Sequence, residues 1–169
     1  MFCVTAKMLI VASSRAPGRR LALVPMVEIH VERTIAAPVE QVFDWLADPV
    51  NLAASPLALK GYWAKGTSGP GPGALREVIA VGSWFREELT AYDRPHSYTY
   101  LIVKSIPPFD HDGGTLTFTA AGDGTHVDWL TNYTHPAAAG GKALEALTRR
   151  LLRSSFVAIL DACAKALEK

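Results

Sequence analysis

The sequence predicts an α+β domain over residues 26–169, in which a seven-stranded, curved antiparallel sheet wraps a long C-terminal helix and two short helices follow the first strand. Three observations predict it. Strand-like runs recur between turn residues, the later ones at hairpin distances. A helical repeat bounded by prolines interrupts the series once, after the first run. From Lys142 to Lys169 there is neither glycine nor proline.

Val27 to Ile35 alternates Val27, Ile29 and Val31 with Glu28, His30 and Glu32, the pattern of a half-buried strand. Pro38 suits a first helical turn, and Val39, Val42, Phe43 and Leu46 then share one helix face. Asp48-Pro49 stops that helix, and Val50 to Ser55 has room for a second, shorter one. Strands are expected over 57–65, 74–81, 83–92, 97–105, 115–121 and 125–134. The segment Gly66 to Gly73, with four glycines and two prolines, reads as a loop. Ile106 to Gly114 reads as another, and Gly122-Asp123-Gly124 as a tight hairpin turn.

The final stretch, about 42 Å long if helical, carries a broad apolar arc that includes Leu144, Leu147, Leu151, Leu152, Phe156 and Ile159. An arc so wide suits a helix gripped by a curved sheet. Thr148 and Ser155 fall inside it.

Composition narrows the function. Of 169 residues, 49% are hydrophobic and 20% charged, enough to bury a core. The net charge is +1, but residues 1–25 carry four basic residues and no acid, so the remainder is at −3 and offers no basic patch for nucleic acid. Residues 1–25 are expected to be an N-terminal extension without regular structure, dispensable for the fold, with either Met1 or Met26 as the natural start. Two isolated cysteines, Cys3 and Cys163, give no disulfide framework and fit a reducing, cytoplasmic setting, with Cys163 a small buried hydrophobe. No run of 18 apolar residues is present, so no integral membrane association is expected.

The segment VERTIAAPVEQVFDWLADPVNLAAS resembles the opening of the START and polyketide cyclase/dehydrase superfamily (SRPBCC), where a strand leads through Ala-Pro into a helix with Val-Phe and then Asp-Pro. EELTAYDRPHSYTYLIV is similar to that family's middle hairpin and GDGTHVDWLTNY to its last one. The resemblance implies a helix-grip fold and a cavity between sheet and helix for a hydrophobic small molecule that is lipid-, polyketide- or sterol-like. It leaves open a binding or carrier protein, a cyclase or dehydratase acting without metal, and a co-chaperone-like interaction module. Neither a cofactor nor an oligomeric state is implied.

Strand alternation nominates the cavity's lining. Val127, Trp129, Thr131 and Tyr133 should face inward, as should Leu116, Phe118 and Ala120; in the 97–105 strand Tyr98, Tyr100 and Ile102 are the favoured inward set, with Leu101 and Val103 offering the opposite face. Trp63 shares a strand face with Leu59. Glu87 and Glu88 are adjacent, so a regular strand turns one of them inward. The plainer alternatives are a bulge, or a glutamate solvated at the mouth or paired with Arg86 or Arg76. The expected ligand-binding set is Trp63, Glu88, Tyr100, Phe118, Trp129, Tyr133, Leu151 and Ser155. Each ring also fits as plain core, and each helix hydroxyl as a bond to the carbonyl four residues back. No metal is expected: Asp110-His111-Asp112 sits between Pro-Pro and Gly-Gly and reads as a solvated turn, and no HExxH, GxSxG, GxGxxG or P-loop pattern occurs.

Overall fold

The structure, a computed structural model, describes residues 26–168; the expected N-terminal extension lies outside the described residues. Strands β1 (Val27–Ile35), β2 (Ala58–Trp63), β3 (Leu75–Ala80), β4 (Ser83–Asp93), β5 (Ser97–Ile106), β6 (Asp110–Ala121) and β7 (Gly124–Thr134) form one antiparallel sheet. Its order is β1-β7-β6-β5-β4-β3-β2, so the first two strands in the chain lie at opposite edges. Helices α1 (Val39–Ala47) and α2 (Pro49–Leu52) make that crossing, and α3 (Gly141–Leu167) closes the chain. This is the helix-grip arrangement.

α1 closes one end of the curved sheet. Its Val42, Phe43 and Leu46 are buried, and the Phe43 ring meets Tyr92, Tyr98 and Phe118 edge-on at 5.1, 5.7 and 5.0 Å. The Tyr98 hydroxyl donates to Leu46 O at 2.9 Å, which ties β5 to this helix. α2 passes so close to β2 that a Cβ on Gly61 would lie 1.8 Å from Pro49 O, so only glycine fits there.

α3 is gripped along half its length. Ile159, Leu160, Cys163 and Ala164 are buried in the core shared with β1. Arg33 pairs with Asp161, and Ala36 N donates to Glu168 at 3.1 Å, fixing this end. The N-terminal half is held near its start, where the buried Glu145 accepts from Thr134, from His135 N at 3.4 Å and from Lys142 at 2.8 Å. Between these anchors the helix spans the open side of the sheet. The full apolar arc is therefore not gripped: Leu147 is 60% and Leu151 44% exposed.

Two other expectations change. β6 begins at Asp110, so Asp110-His111-Asp112 is strand and not a solvated turn. Gly113, at φ 135°, sits at a register irregularity that lets the strand bend and continue. Gly114 lies opposite Tyr100, whose ring comes within 2.2 Å of where a Cβ would stand. Ala120, at the strand's end, and Leu59, at a bulge in β2, are exposed.

Candidate ligand-binding pocket

The middle of α3 and the inner face of the sheet enclose a pocket of about 280 Å³. Leu151, Leu152, Ser155 and Phe156 come from α3, and Trp129, Thr131 and Tyr133 from β7. Phe156 stacks on Trp129 at 4.1 Å and 11°, so one wall is a ring pair shared by helix and sheet. Val81, 63% exposed, lines the pocket from the turn between β3 and β4. From there the inward face of β3 runs through Ala80 and Val78 to Arg76, which is 1% exposed.

Arg76 and Glu87 are paired in register across β3 and β4, and Arg76 Nε donates to Glu87 Oε2 at 2.6 Å. The guanidinium carbon lies 5.7 Å from the Tyr98 ring centre and 5.2 Å from that of Tyr100. Burial works to lower the Arg76 pKa, but the Glu87 charge outweighs it and the guanidinium is held above its ordinary value. Burial, reinforced by Glu87, raises the Tyr100 phenol, and burial pushes Tyr98 up to about 12. Both phenols thus stay protonated at neutral pH.

Two polar networks complete the lining. Ile102 N donates to His111 Nδ1 at 3.0 Å, so in the neutral ring Nε2 carries the proton and donates to Thr131 Oγ1 at 2.7 Å. The His111 ring stacks on Tyr100 at 5.4 Å, and Tyr100 OH accepts from Trp129 Nε1 at 3.1 Å. Burial lowers the His111 pKa. In the second network His135 Nδ1 faces Pro108 O at 3.0 Å; a carbonyl only accepts, so Nδ1 carries the proton. Nε2 is then free to accept from Thr148 Oγ1, 3.1 Å away, which also meets Tyr133 OH at 3.0 Å. Tyr133, Thr148 and His135 therefore form a chain able to pass a proton from the phenol to the imidazole. The Thr148 hydroxyl has one proton, so its bond back to Leu144 O at 2.9 Å alternates with the one to His135 Nε2.

Of the residues singled out from sequence, Tyr100, Trp129, Tyr133, Leu151 and Ser155 border the pocket. Phe118 instead joins the aromatic cluster under α1. Trp63 is partly buried against the core near the end of β2. Glu88 sits opposite Leu75, on the other strand face from Glu87, and does not border the pocket. Arg76, Glu87, His111 and His135 do border it and were not nominated. The alternation Phe85, Glu87, Leu89 would have chosen Glu87, since Leu89 is fully buried and fixes which face is inward.

Other chemistry lies elsewhere. Cys163 is a buried free thiol whose pKa burial pushes up to about 12, which keeps it protonated. On the outer sheet face His30, Glu32 and Asp128 hold potential ligand atoms within 4.8 Å of one another, with His30 Nε2 3.0 Å from Asp128 Oδ2. This reads as a cross-strand ion pair between β1 and β7. No described helix is long and apolar enough to cross a membrane.

A family model for polyketide cyclase/dehydrase and lipid transport matches residues 26–168. The chain belongs to this family. No curated protein matches the sequence. Among solved structures, TTHA0849 from Thermus thermophilus is 22% identical with a TM-score of 0.65, over 82% of this chain and 95% of that one. The major latex-like protein 151 of Panax ginseng is 13% identical with a TM-score of 0.64, over 85% and 99%. CV1439 from Chromobacterium violaceum is 17% identical with a TM-score of 0.62, over 84% and 97%. At these identities the shared property is the fold, and the polyketide cyclase/dehydrase and lipid transport family spans more than one activity on it.

Proposed function

We propose that this protein binds a hydrophobic small molecule between the sheet and the middle of α3. The observation that carries the reading is the pocket of about 280 Å³, walled by aromatic and aliphatic side chains with a few polar groups. Its size lies just below the usual range of small-molecule sites, about 300–1,000 Å³, and favours a compact lipid- or polyketide-like ligand over a two-chain lipid. Tyr100, Trp129, Tyr133, Leu151 and Ser155 are its contacts in this reading. A cytoplasmic, reducing setting fits the buried free thiol of Cys163. Native mass spectrometry of freshly purified protein should show a retained small molecule. Alternatively, the neutral fluorophore N-phenyl-1-naphthylamine should bind saturably at one site. A ligand at a hundred times its dissociation constant should stabilise the fold by about 2.7 kcal/mol. The absence of both a retained molecule and saturable fluorophore binding would refute the reading.

A second reading, a cyclase or dehydratase working without metal, is favoured by the Tyr133–Thr148–His135 chain. It predicts turnover of a poly-β-keto substrate that falls at least about 100-fold in Tyr133→Phe, the usual worth of a positioned acid or base. Turnover unchanged in that variant would exclude the chain as the acid or base.

A further inference from the structure

The polar groups of the pocket wall largely satisfy one another, with one exception. Three buried side-chain atoms have no hydrogen-bond partner among the described residues: Arg33 Nε, Arg76 Nη1 and Arg86 Nε. Of these residues only Arg76 borders the pocket. Its Nε is committed to Glu87 and the Tyr98 hydroxyl is also in hydrogen-bonding reach of the guanidinium, but Nη1 is left without an acceptor beside the tyrosine rings. A guanidinium nitrogen can only donate. A dry, unpaired charged donor is unfavourable, so an occupant that supplies an acceptor there is favoured over one that does not.

We propose that the ligand carries an uncharged carbonyl-type oxygen that accepts from Arg76 Nη1, with its apolar body directed along the shaft towards Val81. This deepens the binding function proposed above and rests on it. The acceptor is uncharged because Glu87 already neutralises Arg76, so a carboxylate placed there would face the Glu87 carboxylate without a second cation. The orientation follows from exposure. Arg76 is 1% exposed and Val81 63% exposed, so the polar end enters first. From Arg76 to Ala80 the strand advances roughly 13 Å, which bounds the reach of the apolar body.

The test compares near-isosteres by displacement of N-phenyl-1-naphthylamine from the full-length protein. The probes are 2-acetylnaphthalene, 2-ethylnaphthalene and 2-naphthoate. The ketone should bind roughly ten-fold or more tighter than the hydrocarbon, the scale of a hydrogen bond to a charged donor. It should also bind at least as tightly as the carboxylate. In R76M/E87M, which removes donor and counter-charge together, the ketone's advantage should vanish. Should that variant fail to fold, the carbonyl stretch of the ¹³C-labelled ketone bound to the unmodified protein decides the matter. It should lie at lower wavenumber than in hexane. Equal binding of ketone and hydrocarbon, a preference for the carboxylate, an advantage that persists in R76M/E87M or an unshifted stretch would each overturn the inference while leaving the pocket intact. If no probe and no fluorophore binds, the binding function itself has failed.

Discussion

Removing Arg76 alone should destabilise the protein far more than removing Arg76 and Glu87 together. The pair is 2.6 Å apart with side chains 1% and 11% exposed, so neither charge has water to fall back on. Deleting one partner of such a pair typically costs about 3–5 kcal/mol, while replacing both by apolar groups of similar volume is often neutral. The two single variants should also differ. In Arg76→Met the stranded glutamate can take up a proton. From a reference value of about 4.3 that costs roughly 3.7 kcal/mol at pH 7, which caps the loss. In Glu87→Met the stranded guanidinium has no comparable escape, because its reference value is about 12.5–13.8. Arg76→Met should therefore lower Tm by roughly 6–15 °C, at about 2–4 °C per kcal/mol for a domain of this size. Its deficit should shrink as pH falls towards 5, where the proton is easily gained. Glu87→Met should be at least as damaging and should not recover. R76M/E87M should melt within a few degrees of the parent. Thermal melts of the four proteins at pH 7.5, 6 and 5 complete the cycle. An Arg76→Met protein that melts within 2 °C of the parent, or a double variant worse than both singles, would refute the mutual dependence.

Ser155→Phe should fill part of the pocket, weakening N-phenyl-1-naphthylamine binding at least ten-fold while the unliganded protein stays folded; an unfolded variant, or unchanged affinity, would mean the void lies elsewhere. Gly114→Ala would put a Cβ 2.2 Å from the Tyr100 ring and 2.5 Å from its hydroxyl oxygen, so it should displace the ring and lower stability by about 1–3 kcal/mol, read as a Tm drop; a Tm within 2 °C of the parent would contradict that close approach. His111, lowered by burial, should be more than half neutral at about pH 6.5, with the neutral ring's proton on Nε2, in long-range ¹H–¹⁵N spectra. Its folded value lies below the unfolded one, so the stability linked to it is present above about pH 6.5 and lost as pH falls through the folded value; titration at or above 6.5 would refute this.

Much of the fold was legible because short strands with one buried face announce themselves. In β7 the inward set Val127, Trp129, Thr131, Tyr133 is buried as the alternation requires. β6 was read short because Pro107-Pro108 and Gly113-Gly114 look like breakers. The glycines serve the strand, one at an irregularity and one beneath the Tyr100 ring, and that purpose appears only once β5 lies alongside. The helix arc could not reveal where the sheet stops gripping, because the residues over a pocket are as apolar as those over a core. The pocket's walls were partly visible from β7 and α3. Its polar floor was foreseen only as one alternative, an inward glutamate paired with Arg76 or Arg86. Arg76 lies in a strand with apolar residues on both faces, so parity is silent, and its partner is fixed by pairing between β3 and β4.

The sheet order also sets the schedule of synthesis. β1 leaves the ribosome before every other described element, yet its partner is β7: Ile35 pairs with Thr125, about 90 residues later. At roughly 5–20 residues per second the interval is about 5–20 s. Meanwhile β2 to β7 can close as successive hairpins, and the nascent chain carries one apolar strand face, Ile29, Val31 and Ile35, with nothing to cover it until β7 and α3 emerge. The alternating Glu28, His30 and Glu32 keep the other face of that segment hydrated while it waits. A chain halted after β6 would hold a nearly finished sheet and an orphaned edge strand, the form in which this protein is most exposed to pairing with a stranger.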